Sequence, residues 1–278
     1  MLEWIHGGIG MIKIAFFDID GTLSNMETRS VSDITIETLQ RLQANNIKVC
    51  IATGRHPLSV PTFEGVTFDA ILSFNGSYCF DKEGHVLYSH PIPHKDVLRI
   101  IDNASSINRS VSLASKDNSK ANGTDQDLND YYAFSKQKVN VSEDFDTFVN
   151  EDIYQIMCGG YENEYDALMK NVEGAQITAW WNRAVDIIPA GGGKGNGIHK
   201  VLEYYHFSPS EAIAFGDGTN DIEMLEAVGT GVAMGNATDN VKAIADDICL
   251  SVAEDGVYHY CLDHNPELQA ETGNKKIN

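Results

Sequence analysis

Acidic residues follow short apolar runs at two distant places in the chain. Asp18 and Asp20 follow "IKIAFF", and Asp217 and Asp221 follow "EAIAFG". If both runs are strands of one parallel sheet, their carboxyl ends bring these carboxylates to one crevice, which is where open α/β sheets bind ligands. Each close pair would repel by about 4 kcal/mol at about 4 Å with an effective dielectric near 20, so a cation must lie among them. Because only carboxylate and carbonyl oxygens are at hand, the pattern favours Mg²⁺.

Two uncharged polar residues stand at comparable places. Thr53 follows the apolar run "IKVCIA", and Asn220 belongs to the second acidic segment. Each of these residues alone has an ordinary structural explanation, because Asp-Gly forms turns, Thr and Asn cap helices, and Asp is favourable near a helix N-terminus. Their coincidence at the ends of predicted strands is what indicates a functional site.

Lys194 lies in the glycine-rich stretch "PAGGGKGNGI", ahead of an apolar, helix-like run. A P-loop needs a glycine five places before its Gly-Lys pair and Ser or Thr directly after it. Ile188 and Gly195 occupy those positions, so the ATP-binding interpretation fails and the local pattern favours a loose glycine turn. Because no packed apolar neighbour of Lys194 is evident, its replacement is expected to affect catalysis more than folding.

The elements that must position these residues alternate between strand-like and helix-like segments. Apolar runs at 12–17, 47–52, 69–73 and 211–216 each lead into a polar turn, and Ser32 is a candidate cap for the helix after the first run. A further run, "GTGVAMGNA", precedes a helix-like "DNVKAIAD". This alternation predicts an α/β fold with a doubly wound, Rossmann-like parallel sheet as its core.

The pattern changes between roughly 80 and 187. A hairpin-like "YCFDKEGHVLYSHPI" is followed by helix candidates and by the strand candidates "IYQIMCGG", "AQITAWW" and "AVDIIP". The segment is long enough for a small α+β domain inserted into the core. The predicted division is a discontinuous core of residues 11–80 and 188–270 and an inserted cap domain of residues 81–187.

Composition limits the classes of partner and the cellular location. The 278 residues are 42% hydrophobic and 22% charged, and no apolar run approaches the roughly 20 residues that cross a bilayer. A net charge of -20 makes nucleic acid an improbable partner and means that a small phosphorylated anion needs a metal ion and a lysine to bind. The five widely spaced cysteines indicate reduced thiols in a cytoplasmic protein. Residues 1–10, which precede Met11, are set aside from the fold as an appendage.

Four stretches together resemble the ordered motifs of the haloacid dehalogenase superfamily. They are "DIDGT" at 18–22, Thr53 in "IATGR", Lys194 in "GGGKGNG" and "GDGTND" at 216–221. Within that superfamily the chain most resembles the Cof-type phosphatases, which carry a large α/β cap between the threonine and lysine motifs. The resemblance extends from Met11 to about Leu262 and includes "FNGSYCFDKEG" and "AVDIIPAGGGKGNGI".

The resemblance implies a role for each motif residue. Asp18 would attack phosphorus to form an aspartyl-phosphate, and Asp20 would protonate the leaving oxygen and then activate water. Mg²⁺ would be held by the Asp18 and Asp217 carboxylates and the Asp20 backbone carbonyl. The remaining roles concern the phosphoryl group: Thr53, the Gly54 amide, Lys194 and Asn220 would bind it, and Asp221 would hold the ammonium of Lys194.

The leading hypothesis is a Mg²⁺-dependent phosphatase that acts on small phosphorylated metabolites, such as sugar phosphates or phosphorylated cofactors. No nucleic-acid or membrane partner is expected, and the chain is expected to be a monomer or a weak dimer. One alternative is a phosphosugar mutase of the phosphomannomutase kind, although the insertion contains only the arginines Arg99, Arg109 and Arg183 for a second phosphate. The other is a phospho-accepting receiver-type module, which has no place for so long an insertion.

Overall fold

A computed structural model describes residues 12–134 and 136–264. The predicted appendage at 1–10 and the predicted core residues 265–270 lie outside the described residues. The strands are β1 (Ile14–Phe17), β2 (Lys48–Ala52), β3 (Ala70–Ser73), β4 (Tyr78–Asp81), β5 (Val86–Ser89), β6 (Val111–Ala114), β7 (Ser119–Ala121), β8 (Gln155–Gly159), β9 (Ala175–Trp181), β10 (Ala184–Pro189), β11 (Ala212–Gly216), β12 (Thr230–Ala233) and β13 (Asp247–Ile248).

The helices lie between and around these strands. They are α1 (Asp33–Ala44), α2 (His94–Ser106), α3 (Gln126–Phe134), α4 (Phe145–Phe148), α5 (Tyr165–Leu168), α6 (Lys194–Tyr205), α7 (Ile222–Glu226), α8 (Asp239–Ile244) and α9 (Gly256–His264). Helix α1 begins as its sequence predicts, since the Ser32 side chain accepts a hydrogen bond from the Thr35 amide at 3.2 Å. None of the helices in the described part of the chain is both long and apolar enough to span a bilayer.

The larger sheet has eight strands in the order β13-β12-β11-β1-β2-β3-β4-β5. Strands β13 to β3 pair in parallel, and β4 and β5 add an antiparallel edge. Every residue of β1 and β11 is buried, because apolar clusters cover both faces of the sheet. The prediction of an α/β fold with a Rossmann-like parallel core is therefore confirmed.

The second sheet is antiparallel, with the strand order β7-β6-β8-β10-β9. One of its faces packs against α2 through residues such as Ile100, Leu113 and Ile187, and α3 lies on the opposite face through Leu128 and Tyr132. All its strands come from the inserted segment, so the chain carries the second sheet as a cap between β5 and α6.

The hairpin β4-β5 differs from its predicted position. The sequence places it at the beginning of the inserted segment, but it lies in the larger sheet because β4 pairs antiparallel with β3 across the short turn Phe74–Gly76. The chain leaves this sheet only after Ser89. The division at residues 81 and 187 stays a prediction.

Candidate active site

Three neighbouring strands end beside one another, and each is followed by a predicted site residue. Asp18 follows β1, Thr53 follows β2 and Asp217 follows β11. Since β11, β1 and β2 are adjacent and parallel, their carboxyl ends lie on one edge of the sheet. The topology thus brings together residues that are about 200 positions apart in the chain.

Lys194 is the first residue of α6, and its side chain is fully buried. Its Nζ lies 2.5 Å from Asp18 Oδ1 and 2.5 Å from Asp221 Oδ1. The loose-turn interpretation is therefore wrong, because the glycines let the helix begin close to the sheet and its first side chain extends inward between two acids. Burial alone would lower the pKa of Lys194, but the charges of Asp18 and Asp221 raise it above its ordinary value, so the ammonium remains charged.

The carboxylates outnumber the cations around Lys194. Carboxylate oxygens of Asp18, Asp217 and Asp221 all lie within 4.8 Å of one another. Burial raises the pKa of Asp18 well above its ordinary value, and the neighbouring carboxylates add to this effect while Lys194 opposes it. Burial and the charge of Asp221 raise the pKa of Asp217 to about 6. One buried ammonium leaves these acids incompletely neutralised, so the cluster fits a cation that prefers oxygen ligands.

The two acids of the "GDGTND" segment differ in the strength of their contacts within the protein. Both oxygens of Asp221 are used inside the protein, because Oδ1 contacts Lys194 and Oδ2 accepts hydrogen bonds from the amides of Asp217 and Gly218 at 2.9 Å. Asp217 accepts weaker contacts from Thr22 Oγ1 at 3.1 Å and from Asn236 Nδ2 at 3.2 Å. Asp217 is thus the better placed of the two to bind a metal ion, and Asp221 the better placed to orient Lys194.

Asp20 lies outside that carboxylate cluster, since Arg55 holds its side chain. The guanidinium Nε donates to Asp20 Oδ2 at 2.7 Å, and Nη2 donates to Oδ1 at 2.5 Å. Arg55 also donates from Nη1 to the Ser59 carbonyl at 3.2 Å, which fixes the side chain at both ends. The sequence reasoning missed Arg55, although a cation two residues after Thr53 was a visible signal in "IATGR".

The uncharged candidates meet around Asn75, a second residue that the sequence reasoning missed. Asn220 donates from Nδ2 to Asn75 Oδ1 at 3.0 Å, and a Cβ added to Gly54 would lie 3.2 Å from the Asn75 amide group. Thr53 is buried, and its Oγ1 accepts a hydrogen bond from the Arg55 amide at 3.1 Å. The Asn75 backbone amide also donates to the Thr53 carbonyl at 2.9 Å, so three residues expected to bind a phosphoryl group lie around Asn75.

Comparisons with known proteins identify the family to which the chain is similar. The family described as haloacid dehalogenase-like hydrolase matches residues 15–261. The Bacillus subtilis protein YkrA is 34% identical over 247 residues, which cover 88% of this chain and 95% of YkrA. The B. subtilis 5-amino-6-(5-phospho-D-ribitylamino)uracil phosphatase YitU is 31% identical over 262 residues, with coverage of 89% and 95%.

A solved structure gives the same result for the whole fold. BT1666 from Bacteroides thetaiotaomicron, studied among phosphatases of the haloalkanoate (HAD) superfamily, superposes with a TM-score of 0.86 at 30% identity. The match covers 94% of this chain and 97% of BT1666. Both the parallel sheet and the cap are therefore shared with a protein of that superfamily.

Proposed function

The chain belongs to the haloacid dehalogenase-like hydrolases and is a phosphoric monoester hydrolase of the Cof type, and we propose that it is a Mg²⁺-dependent phosphatase acting through an aspartyl-phosphate on Asp18. The observation that carries this proposal is the contact of buried Lys194 with Asp18, beside Asp217 at the adjoining strand end. A carboxylate held this way next to a permanent cation is suited to attack an anionic phosphate.

Asp18 would attack phosphorus in line, forming a P–O bond to its carboxylate as the bond to the leaving oxygen breaks. Asp20 would donate a proton to that oxygen and later accept one from the water that hydrolyses the aspartyl-phosphate. Arg55 holds the Asp20 carboxyl group in one orientation through its two hydrogen bonds. Lys194, Thr53, the Gly54 amide and Asn220 would bind the phosphoryl oxygens.

The acid cluster fits Mg²⁺ because its donors are oxygens and its negative charge exceeds that of Lys194. Asp18, Asp217 and the Asp20 backbone carbonyl would hold the ion. When bound, it would neutralise charge on the nucleophile and the phosphate. The protein's net charge of -20 makes this neutralisation necessary for an anionic substrate to approach.

The proposed substrates are small phosphorylated metabolites, such as sugar phosphates or phosphorylated cofactors. YitU, whose name gives a phosphorylated ribitylaminouracil as its substrate, supports this class. The cap offers little support for the mutase alternative, because Arg109 and Arg183 already form ion pairs with Asp127 at 2.7 and 2.6 Å. Arg99 is exposed on α2, so at most one of these three arginines is available to bind a second phosphate.

The test compares leaving groups in the intact protein. Asp18→Asn should lower kcat/KM at least about 1,000-fold for both an alkyl phosphate and 2,4-dinitrophenyl phosphate, since loss of a nucleophile removes the covalent route. Asp20→Asn should lower kcat/KM for the alkyl phosphate by about 100-fold or more. It should lower kcat/KM for the dinitrophenyl ester much less, because an acidic phenol leaves without a proton. Arg55→Gln should show the same contrast to a smaller degree.

Removal of divalent ions by a chelator should abolish turnover, and added Mg²⁺ should restore it. Asp102→Asn, on the exposed face of α2, is the matched control and should retain full activity. Wild-type turnover by Asp18→Asn in the presence of Mg²⁺ would rule out the aspartyl-phosphate mechanism.

A further inference from the structure

The turn between β3 and β4 has an unusual backbone. Phe74, Asn75 and Gly76 have φ angles of 51°, 52° and 84°, so three consecutive residues occupy the left-handed region. Glycine and asparagine tolerate this region, but phenylalanine rarely does, because its Cβ crowds the backbone. The conformation of Phe74 is therefore strained, and contacts elsewhere must hold it in place.

The backbone and the polar side chain of this turn contact the proposed phosphoryl site. The amides of Phe74 and Asn75 donate to the carbonyls of Arg55 at 3.2 Å and Thr53 at 2.9 Å. Asn75, only 2% exposed, accepts from Asn220 Nδ2 at 3.0 Å. On its other side, Gly76 packs so closely on the residue before Lys194 that an added Cβ would lie 2.5 Å from that carbonyl oxygen. The position of the turn is thus linked to each group proposed to bind phosphate.

The Phe74 ring extends the opposite way, into the cap. It is 1% exposed and belongs to an apolar cluster whose other buried members all come from the cap. Those members are Ala114, Leu128, Tyr132, Tyr154 and Met157. The ring stacks on Tyr154 with centroids 5.7 Å apart and planes 2° apart. A core residue therefore places its side chain in the interior of the cap.

These two sets of contacts depend on each other. Burial of the Phe74 ring in the cap offsets the strain of its backbone, so the left-handed turn is most favourable when the cap rests on the core. If the cap moved away, the ring would keep its edge contact with His56, 5.2 Å between centroids, but would lose its contacts with the cap. The turn could then relax towards a right-handed or extended backbone. Asn75 would then lose its position beside Asn220 and Gly54.

We infer that the Phe74–Gly76 turn is a positioning element through which the seating of the cap sets the orientation of Asn75 and Asn220 at the phosphoryl site. This inference rests on the proposed function, since the phosphate-binding role of Asn220 is proposed there. Phe74 itself would touch no substrate and would act only through Asn75.

The experiment measures competitive inhibition by orthophosphate, with an aryl phosphate as substrate and Mg²⁺ saturating. Phe74→Gly keeps the left-handed backbone accessible and removes the ring, whereas Tyr154→Leu removes the stacking partner and leaves the turn unchanged. Both should raise the inhibition constant about fivefold or more, at the lower end of the usual range for coupled sites. The control Tyr154→Phe keeps the ring, losing only the hydroxyl contact with Ser89 at 2.9 Å, and should bind orthophosphate like the wild type.

Two double variants show whether the effect passes along this route. The variant that combines Phe74→Gly with Tyr154→Leu should have an inhibition constant no higher than that of the poorer-binding single variant. Adding Phe74→Gly to Asn75→Ala should not raise the inhibition constant any further. The inference would be overturned if folded Phe74→Gly had the inhibition constant of the wild type. If Phe74→Gly does not fold, an unchanged inhibition constant in Tyr154→Leu would overturn it. Hydrolysis by the wild type and its inhibition by orthophosphate test the proposed function. The ratio of the inhibition constants of variant and wild type tests the role of the turn.

Discussion

At the scale of single residues, the burial of Lys194 links catalysis to stability. The side chain is completely inaccessible and compensates two acids, Asp18 and Asp221. Breaking a buried ion pair by removing one partner is strongly destabilising, because it leaves charges in a poorly solvated place. The expectation that replacing Lys194 affects mainly catalysis is therefore revised.

Lys194→Met should lower kcat/KM at least about tenfold, since a charge-assisted contact is worth roughly 1.5 to 3 kcal/mol. It should also lower the Tm by about 10 °C, the scale expected for a buried unpaired acid in a protein of this size. Adding Asp221→Asn should recover part of the stability and none of the activity. Thermal unfolding and kinetics on one preparation check both statements, and a variant with normal kcat/KM would exclude a role in phosphate binding.

Asp186 on β10 gives a prediction for pH. Its carboxyl group is 3% exposed and accepts a hydrogen bond from Tyr131 Oη at 2.7 Å, and burial raises its pKa from 3.8 to about 7. Between these two pH values the folded chain keeps a proton that the unfolded chain has released, so this group's contribution to stability falls as pH rises. Above about pH 7 both states are ionised and the contribution stays constant.

Asp186→Asn retains an oxygen that accepts from Tyr131 and cannot ionise. The Tm of the variant minus that of the wild type should therefore increase by several degrees between pH 5 and pH 8. Thermal unfolding at several pH values measures this difference, in which the titration of all other carboxylates cancels. A difference independent of pH would contradict a raised pKa at this position.

At the scale of elements, the start of α6 determines where Lys194 lies. Gly193 precedes the helix with φ 127° and ψ 159°, a region available essentially to glycine alone. A Cβ at this position would also collide with the Glu223 carboxylate of α7. The helix can therefore begin close to the sheet only if this residue has no side chain.

Gly193→Ala should shift the beginning of α6 and lower kcat/KM by about tenfold or more, because contacts at Lys194 depend on its placement. Gly191→Ala is the matched control: this glycine has φ 69°, but a Cβ there would meet nothing within 4 Å. Gly191→Ala should lower the free energy of unfolding by about 1 kcal/mol and leave kcat/KM nearly unchanged. Equal activity in the two variants would show that the placement of α6 tolerates a side chain at Gly193.

At the scale of the whole molecule, the cap enters and leaves the core at adjacent points. His90 Nε2 lies 3.3 Å from the Ala190 carbonyl oxygen, so a short linker can join the two sides of the insertion. The proposed catalytic groups all lie outside residues 91–188. The core should therefore keep its chemistry when the cap is removed, while the groups that surround the leaving group are lost.

Replacing residues 91–188 with a short glycine-serine linker, together with Phe74→Asn to remove the exposed ring, should leave a folded core of weak activity. Its kcat/KM values for a panel of phosphorylated metabolites should fall within about tenfold of one another, because leaving-group contacts supply the discrimination. The same panel measured on the full chain is the reference. If the shortened protein kept the original order and spread of preferences, the cap would not select the substrate.

The sequence alone was sufficient to predict the parallel core, the family and the residues at the strand ends. An apolar run followed at once by Asp18, Thr53 or Asp217 is a local pattern, and the rule that parallel strands end on one edge brings these residues together without knowledge of any side-chain conformation. The hard-ion preference followed from the same residues, because carboxylate oxygens dominate the set.

Which partners those residues contact could be determined only from the tertiary structure. Three contacts join residues that are far apart in the chain. They are Arg55 with Asp20, 35 positions apart, Asn220 with Asn75, 145 positions apart, and Lys194 with Asp18, 176 positions apart. Such contacts depend on strand order, on the angle at which α6 leaves Gly193 and on the choice of rotamers, none of which a local pattern contains. The same is true of Phe74, because its contact with the cap accompanies a left-handed backbone that a local pattern does not predict for phenylalanine.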